Sequence, residues 1–183
     1  MKYHTPAVLI SLALVSSAPF AAPAAAQAQG ASPLEQLNVF LGDWTCTGRL
    51  MAMGDSPAHA TRGKIHGERT LDGHWLVIRY DQLAGAKSSN LYHVIQYFGY
   101  DSKIKSLVDV VIDNSGSSSA TGRSSGWVGN RITFENLENT DGSPAPYRDV
   151  FTHLGANRAS HAGFIRDKSG KWVQTDEESC RRQ

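Results

Sequence analysis

Beyond residue 42 the chain reads as strands. Apolar and polar residues alternate with a period of two in ten short runs, near 43–50, 62–70, 73–82, 91–100, 104–113, 119–127, 130–136, 146–154, 159–166 and 170–180. Turn signals separate them, among them Leu71-Asp72-Gly73-His74, Val128-Gly129-Asn130-Arg131, Asp141-Gly142-Ser143-Pro144 and Lys168-Ser169-Gly170-Lys171. Connections this short join antiparallel neighbours. Ten strands with no long helix between them predict an all-β barrel or sandwich. Ahead of the strands, Ser32-Pro33-Leu34-Glu35 carries a capping box with proline at the first helical position. Leu34, Leu37, Phe40 and Leu41 then recur at helical spacing, and Gly42 ends the element. This short helix is expected to plug the end of an apolar interior.

The faces of the strands are less clear. His74, Leu76, Ile78 and Tyr80 oppose Trp75, Val77, Arg79 and Asp81, while Leu91, His93, Ile95 and Tyr97 oppose Tyr92, Val94, Gln96 and Phe98. Tyr147, Asp149, Phe151 and His153 likewise oppose Arg148, Val150, Thr152 and Leu154. Neither face is cleanly polar, and a one-residue slip exchanges them.

The N-terminal segment has a different character. Lys2 and His4 precede the apolar run Val8–Val15, and small residues follow at Ala24-Ala25-Ala26 and Ala26-Gln27-Ala28. This is the pattern of a signal peptide over residues 1–28, cleaved after Ala28. The run is short of the ~20 apolar residues of a spanning helix, and Pro19 and Pro23 interrupt it. The expectation is therefore a periplasmic or secreted protein without a membrane anchor: a short flexible segment over 29–33, then one barrel domain over 34–183. A mature chain of about 155 residues suits a single domain.

Loss of Lys2 leaves seventeen basic and seventeen acidic residues with no charge block, which argues against a nucleic-acid partner. Cys46 and Cys180 are the two cysteines. In an oxidising compartment they are expected to form one disulfide, the alternative being two buried thiols.

Phe40-Leu41-Gly42-Asp43-Trp44-Thr45-Cys46-Thr47-Gly48 resembles the opening of lipocalin-like (calycin) barrels, in which Gly-x-Trp follows a short helix and begins the first strand. The resemblance implies an up-and-down barrel whose closed end is sealed by Trp44 under an arginine of the last strand, Arg181 or Arg182, with Arg181 preferred. Within that group the chain is most similar to exported bacterial proteins of the domain-of-unknown-function family 1579 type. The features are Leu71-Asp72-Gly73-x-Trp75, Phe98-Gly99-Tyr100-Asp101, Gly126-Trp127 with Gly129, and Glu178-Ser179-Cys180-Arg181. In such a barrel the first and last strands pair, which implies that Cys46 and Cys180 are bridged across the seam. Trp172, Gln174, Asp176, Glu178 and Cys180 are then expected on one face of the last strand. A more distant resemblance is to nitrobindin-like haem barrels, whose haem hangs from a late-strand histidine. The last strand here has no histidine, and the nearest are His153 and His161.

No catalytic motif stands out. There is no Gly-x-Ser-x-Gly elbow and no pair of histidines at metal-ligating spacing, so neither a catalytic residue nor a metal site is assigned. Asp176, Glu177 and Glu178 form an acidic cluster with Glu177 on the opposite face, read first as a solvated or arginine-paired rim. The leading expectation is a cavity for a small apolar or amphipathic ligand, with no resident cofactor. Phe151 belongs to its aromatic lining, and one or two of His93, Arg79, Tyr97 and His153 orient the ligand. The alternatives are a filled barrel whose outer face binds a partner and, behind it, a haem-binding or isomerase-type enzyme.

Overall fold

The computed structural model describes residues 32–84, 91–114, 120–136 and 146–183. The expected signal peptide, most of the segment 29–33, the Asp141–Pro144 turn and nearly all of the Ser-rich tip after Asn114 lie outside the described residues.

A helix, η1 (Pro33–Phe40), leads into β1 (Gly42–Leu50), β2 (His59–Thr70), β3 (Trp75–Gln82), β4 (His93–Asp101) and β5 (Ser106–Asp113). There follow β6 (Ala120–Ser124), β7 (Trp127–Val128), β8 (Arg131–Asn136), β9 (Tyr147–His153), β10 (Arg158–Arg166) and β11 (Trp172–Arg182). These form one antiparallel sheet in the order β6-β5-β4-β3-β2-β1-β11-β10-β9-β8-β7, closed by a β6–β8 pairing at Arg123 and Glu135. The expected run 119–127 is broken at Gly126, whose φ of 105° turns the chain between β6 and the two-residue β7.

Helix η1 is 3-10 rather than α. With three residues per turn, side chains three apart stack in a line. Leu34, Leu37 and Phe40 have that spacing, and all three are buried. Runs of 3-10 helix beyond three or four residues are uncommon, and this one is held by donors from the barrel. Arg69 reaches the Leu34 carbonyl (3.2 Å), Trp127 that of Gln36 (3.0 Å), and Arg182 those of Val39 (2.9 Å) and Leu41 (2.6 Å). The helix packs against Leu76, Phe98, Leu107, Ile132, Phe134 and Phe151, filling one end of the barrel. Phe40 lies 5.5 Å from Phe98 and 5.0 Å from Phe151, ring centre to ring centre.

At the seam, β1 pairs with β11 in the register Trp44↔Arg182 and Cys46↔Cys180, and the two cysteines are disulfide-bonded. The cation over Trp44 is Arg182, 4.4 Å from the ring centre. This corrects the assignment to Arg181. The side chain two residues from an inward cysteine also faces inward, whereas Arg181 falls on the exposed face.

A second correction concerns β11. Gly163 pairs with Asp176 but Phe164 pairs with Gln174, so Thr175 is an extra residue in a β-bulge. Such a bulge puts two consecutive side chains on one face and reverses the alternation beyond it. Asp176, Glu178 and Cys180 therefore point inward while Trp172 lies outside, with the Arg148 and Arg166 guanidiniums 4.2 and 5.1 Å from its ring centre. Trp172 and Gln174 do not share the face of Asp176.

Candidate functional site

Among the described residues, the interior is filled at the η1 end. Toward the other end lies a cavity of about 560 Å³. Its apolar wall comprises Ile65, Ile78, Val94, Val111 and Phe151, with Leu50 beyond them. Ile78 and Phe151 also belong to the packed core, so they form the floor. The volume lies within the range of small-molecule sites, roughly 300–1,000 Å³.

The polar side is built by β2, β3, β9, β10 and β11. His161 bridges two carboxylates: Nε2 is 3.2 Å from Asp149 Oδ1 and Nδ1 is 3.1 Å from Asp176 Oδ1. Burial lowers the pKa of the imidazole, but the hydrogen bonds and charges of Asp149 and Asp176 outweigh it and push the value up to about 10. His161 is thus an imidazolium at neutral pH, and its ring centre lies 4.8 Å from that of Phe151 with the planes tilted by 40°. Burial also opposes ionisation of Asp176, yet the bond and charge of His161 bring its pKa below the ordinary carboxylate value. The bulge turns Thr175 to the same face beside Asp176, and Thr175 donates to its Oδ2 at 2.7 Å. A glycine opposite provides the space, since a Cβ at Gly163 would stand 2.2 Å from that oxygen.

Glu178 accepts from the Tyr80 hydroxyl at 2.6 Å and from Thr61 at 3.4 Å, both on Oε1. Its pKa is raised, chiefly by burial. Burial and the carboxylate beside it raise Tyr80 well above the ordinary phenol value, so the hydroxyl remains a donor. Tyr80 lies across Gly63, where a Cβ would meet the ring at 2.3 Å.

Behind the lining residue Gln96 is a fully buried carboxylate, Asp109. Gln96 donates to it at 2.7 Å, the Gly122 amide at 2.7 Å and Tyr147 at 3.4 Å. Burial, followed by the charge of Asp149, raises its pKa to about 7, with the three hydrogen bonds pulling the other way.

Of the residues expected to contact a ligand, Phe151 lines the cavity and the others do not. Arg79 is on the outer face, paired with Glu68 at 2.7 Å. His93 is exposed and paired with Asp81 at 2.7 Å. Tyr97 shares the outward alternation of His93. His153 packs against Trp127, 6.3 Å between ring centres, at the filled end. The acidic cluster divides: Glu177 pairs with Arg49 at 2.8 Å, while Asp176 and Glu178 line the cavity. The cavity is also lined by His161, Asp149, Tyr80 and Thr61, which strand alternation alone does not mark as ligand contacts. The available signal was the inward glycines, which mark where large polar side chains cross the interior.

A profile of one protein family matches residues 31–182, almost the whole described chain. The chain belongs to the DUF1579 family. The family is described only as proteins of unknown function. No curated protein matches this DUF1579 chain. Among solved structures, Rv2717c from M. tuberculosis superposes with a TM-score of 0.62 at 15% identity, covering 84% of this chain and 98% of that one. That likeness concerns the fold. A DUF3598-family protein of unknown function from Nostoc punctiforme aligns with a TM-score of 0.41 at 12% identity, over 80% of this chain and 48% of the other.

His161 does not suit haem. An axial histidine gives the lone pair of one ring nitrogen to iron and donates from the other. Both nitrogens of His161 face carboxylates, and the protonated ring has no lone pair to give. Cys46, Glu178 and Cys180 bring ligand-type atoms within 4.8 Å of one another, but the two sulfurs are bonded to each other and supply no thiolate.

Proposed function

We propose that this DUF1579 protein is an exported carrier that binds a small amphipathic molecule in the barrel cavity. The observation that carries the reading is the hollow half of the barrel: a chamber of about 560 Å³ with an apolar wall and one polar side. That division is how ligand sites combine affinity with orientation. A filled barrel working through its outer face has no use for such a chamber. Nor does it account for buried carboxylates around it, each costly to take from water. Export is supported by the N-terminal pattern and by the Cys46–Cys180 disulfide, which belongs to oxidising compartments.

Native mass spectrometry of protein purified gently from the envelope of its host tests both parts. The expected result is a polypeptide beginning at Gln29, with an added mass that denaturation releases. Unprocessed chain in the cytoplasm would overturn export. A bare polypeptide that also fails to take up any of a panel of amphiphiles would overturn the carrier reading.

A further inference from the structure

The chemistry of the polar side narrows the ligand class, on the understanding that the cavity is a ligand site. Among the described residues lining it there is no lysine or arginine. The arginines of neighbouring strands are engaged outside: Arg79 on Glu68, and Arg148 on Glu135 at 2.6 Å and over Trp172. Two histidines line it: His59, whose Nδ1 lies 3.1 Å from the Pro57 carbonyl, and the imidazolium His161, whose two N–H groups are both spent on Asp149 and Asp176. Three carboxylates therefore surround one cation whose donors are already used.

Glu178 is the carboxylate left over. Its protein partners both bond to Oε1, so among the described residues Oε2 receives no hydrogen bond. Oε2 is not sealed off but open to the chamber, where a carboxylate oxygen is favoured to gain a donor, above all a charged one. A carboxylate, sulfate or phosphate head group would instead enter a poorly solvated chamber against like charges, where Coulomb repulsion is screened far less than in water.

We infer that the ligand is a cationic amphiphile, an aliphatic or aromatic amine whose ammonium group sits at Glu178 beside the His161 bridge while its apolar part lies along Ile65, Ile78, Val94 and Val111. The inference departs from the expectation that Arg79 orients the ligand, because Arg79 lies outside the barrel on Glu68.

Octylamine, octanol and octanoate share a chain and differ in head group, so calorimetric titration of the mature protein at pH 7 with the three separates the possibilities. Amide NMR shifts at Tyr80, Val94 and Val111 locate the binding. The expected order is octylamine tightest and octanoate weakest, about tenfold apart. Equal binding of all three overturns the amine inference and leaves the carrier reading standing, as does tighter binding of octanoate. Failure of all three to bind overturns both. Glu178→Gln, accepted only with a cooperative melt, should bring the amine-to-acid ratio to within about threefold. Asp149→Asn serves if that variant does not fold. An unchanged ratio in the variant used removes the carboxylates as its cause.

Discussion

At the scale of single residues, the polar side of the cavity makes stability depend on pH. The pKa of His161 rises from an ordinary 6.5 to about 10 on folding. Its contribution is then complete below about pH 6.5 and is lost as pH climbs toward 10. The expected NMR titration shows an imidazole still protonated at pH 8. In Gly163→Ala a methyl group displaces Asp176, so the histidine should titrate nearer 6.5 and stability should fall by about 1–3 kcal/mol. Asp109 acts in the same direction at lower pH. Its carboxyl goes from 3.8 to about 7 on folding, so its contribution is full below 3.8 and fades as pH rises through 7. Asp109→Asn should flatten the decline in denaturant midpoint between pH 4 and 7, and a decline that persists would place its cause elsewhere. These residues were hard to read from alternation because the barrel inverts the usual rule in places. Inward positions include Gln96, Asp109 and Asp149, while Val77, which shares the face of Glu68 and Arg79, is nonetheless buried. With both faces mixed, the inner one can be told only from cross-strand register.

At the scale of elements, the strands and the closing helix were legible because they rest on local signals: turns, a proline and an N-cap serine. The bulge in β11 was not. Whether Thr175 is paired or extra depends on Gly163 and Phe164 of the neighbouring strand, which a one-dimensional pattern does not contain. Two further expectations belong here. The disulfide links residues 134 apart. Replacing both cysteines by alanine should cost up to about 5 kcal/mol in chemical denaturation, as closing so long a loop implies. Leu37 of η1 is fully buried, so Leu37→Ala should cost about 2–5 kcal/mol. The same loss from an exposed position such as Glu35 would contradict the role of η1 as a plug.

At the scale of the molecule, the described residues pack one half of the barrel and leave a cavity in the other. Filling the open half should move the balance. Val94→Phe places a ring in the cavity without disturbing the aromatic end, so melting temperature should hold or rise while amphiphile binding falls at least about tenfold. Loss of both together would mean that the cavity is part of the packed core. The last strand joins the two halves. Residues 172–182 bring Asp176 and Glu178 to the cavity, Cys180 to the bridge and Arg182 to Trp44. A copy cut short by a premature stop before Trp172 would thus lose the carboxylates of the cavity, its covalent lock and its end seal in one event. It would expose an open sheet edge at β1 to the proteases that clear unfinished chains. For this protein, the same eleven residues that close the barrel also furnish its cavity.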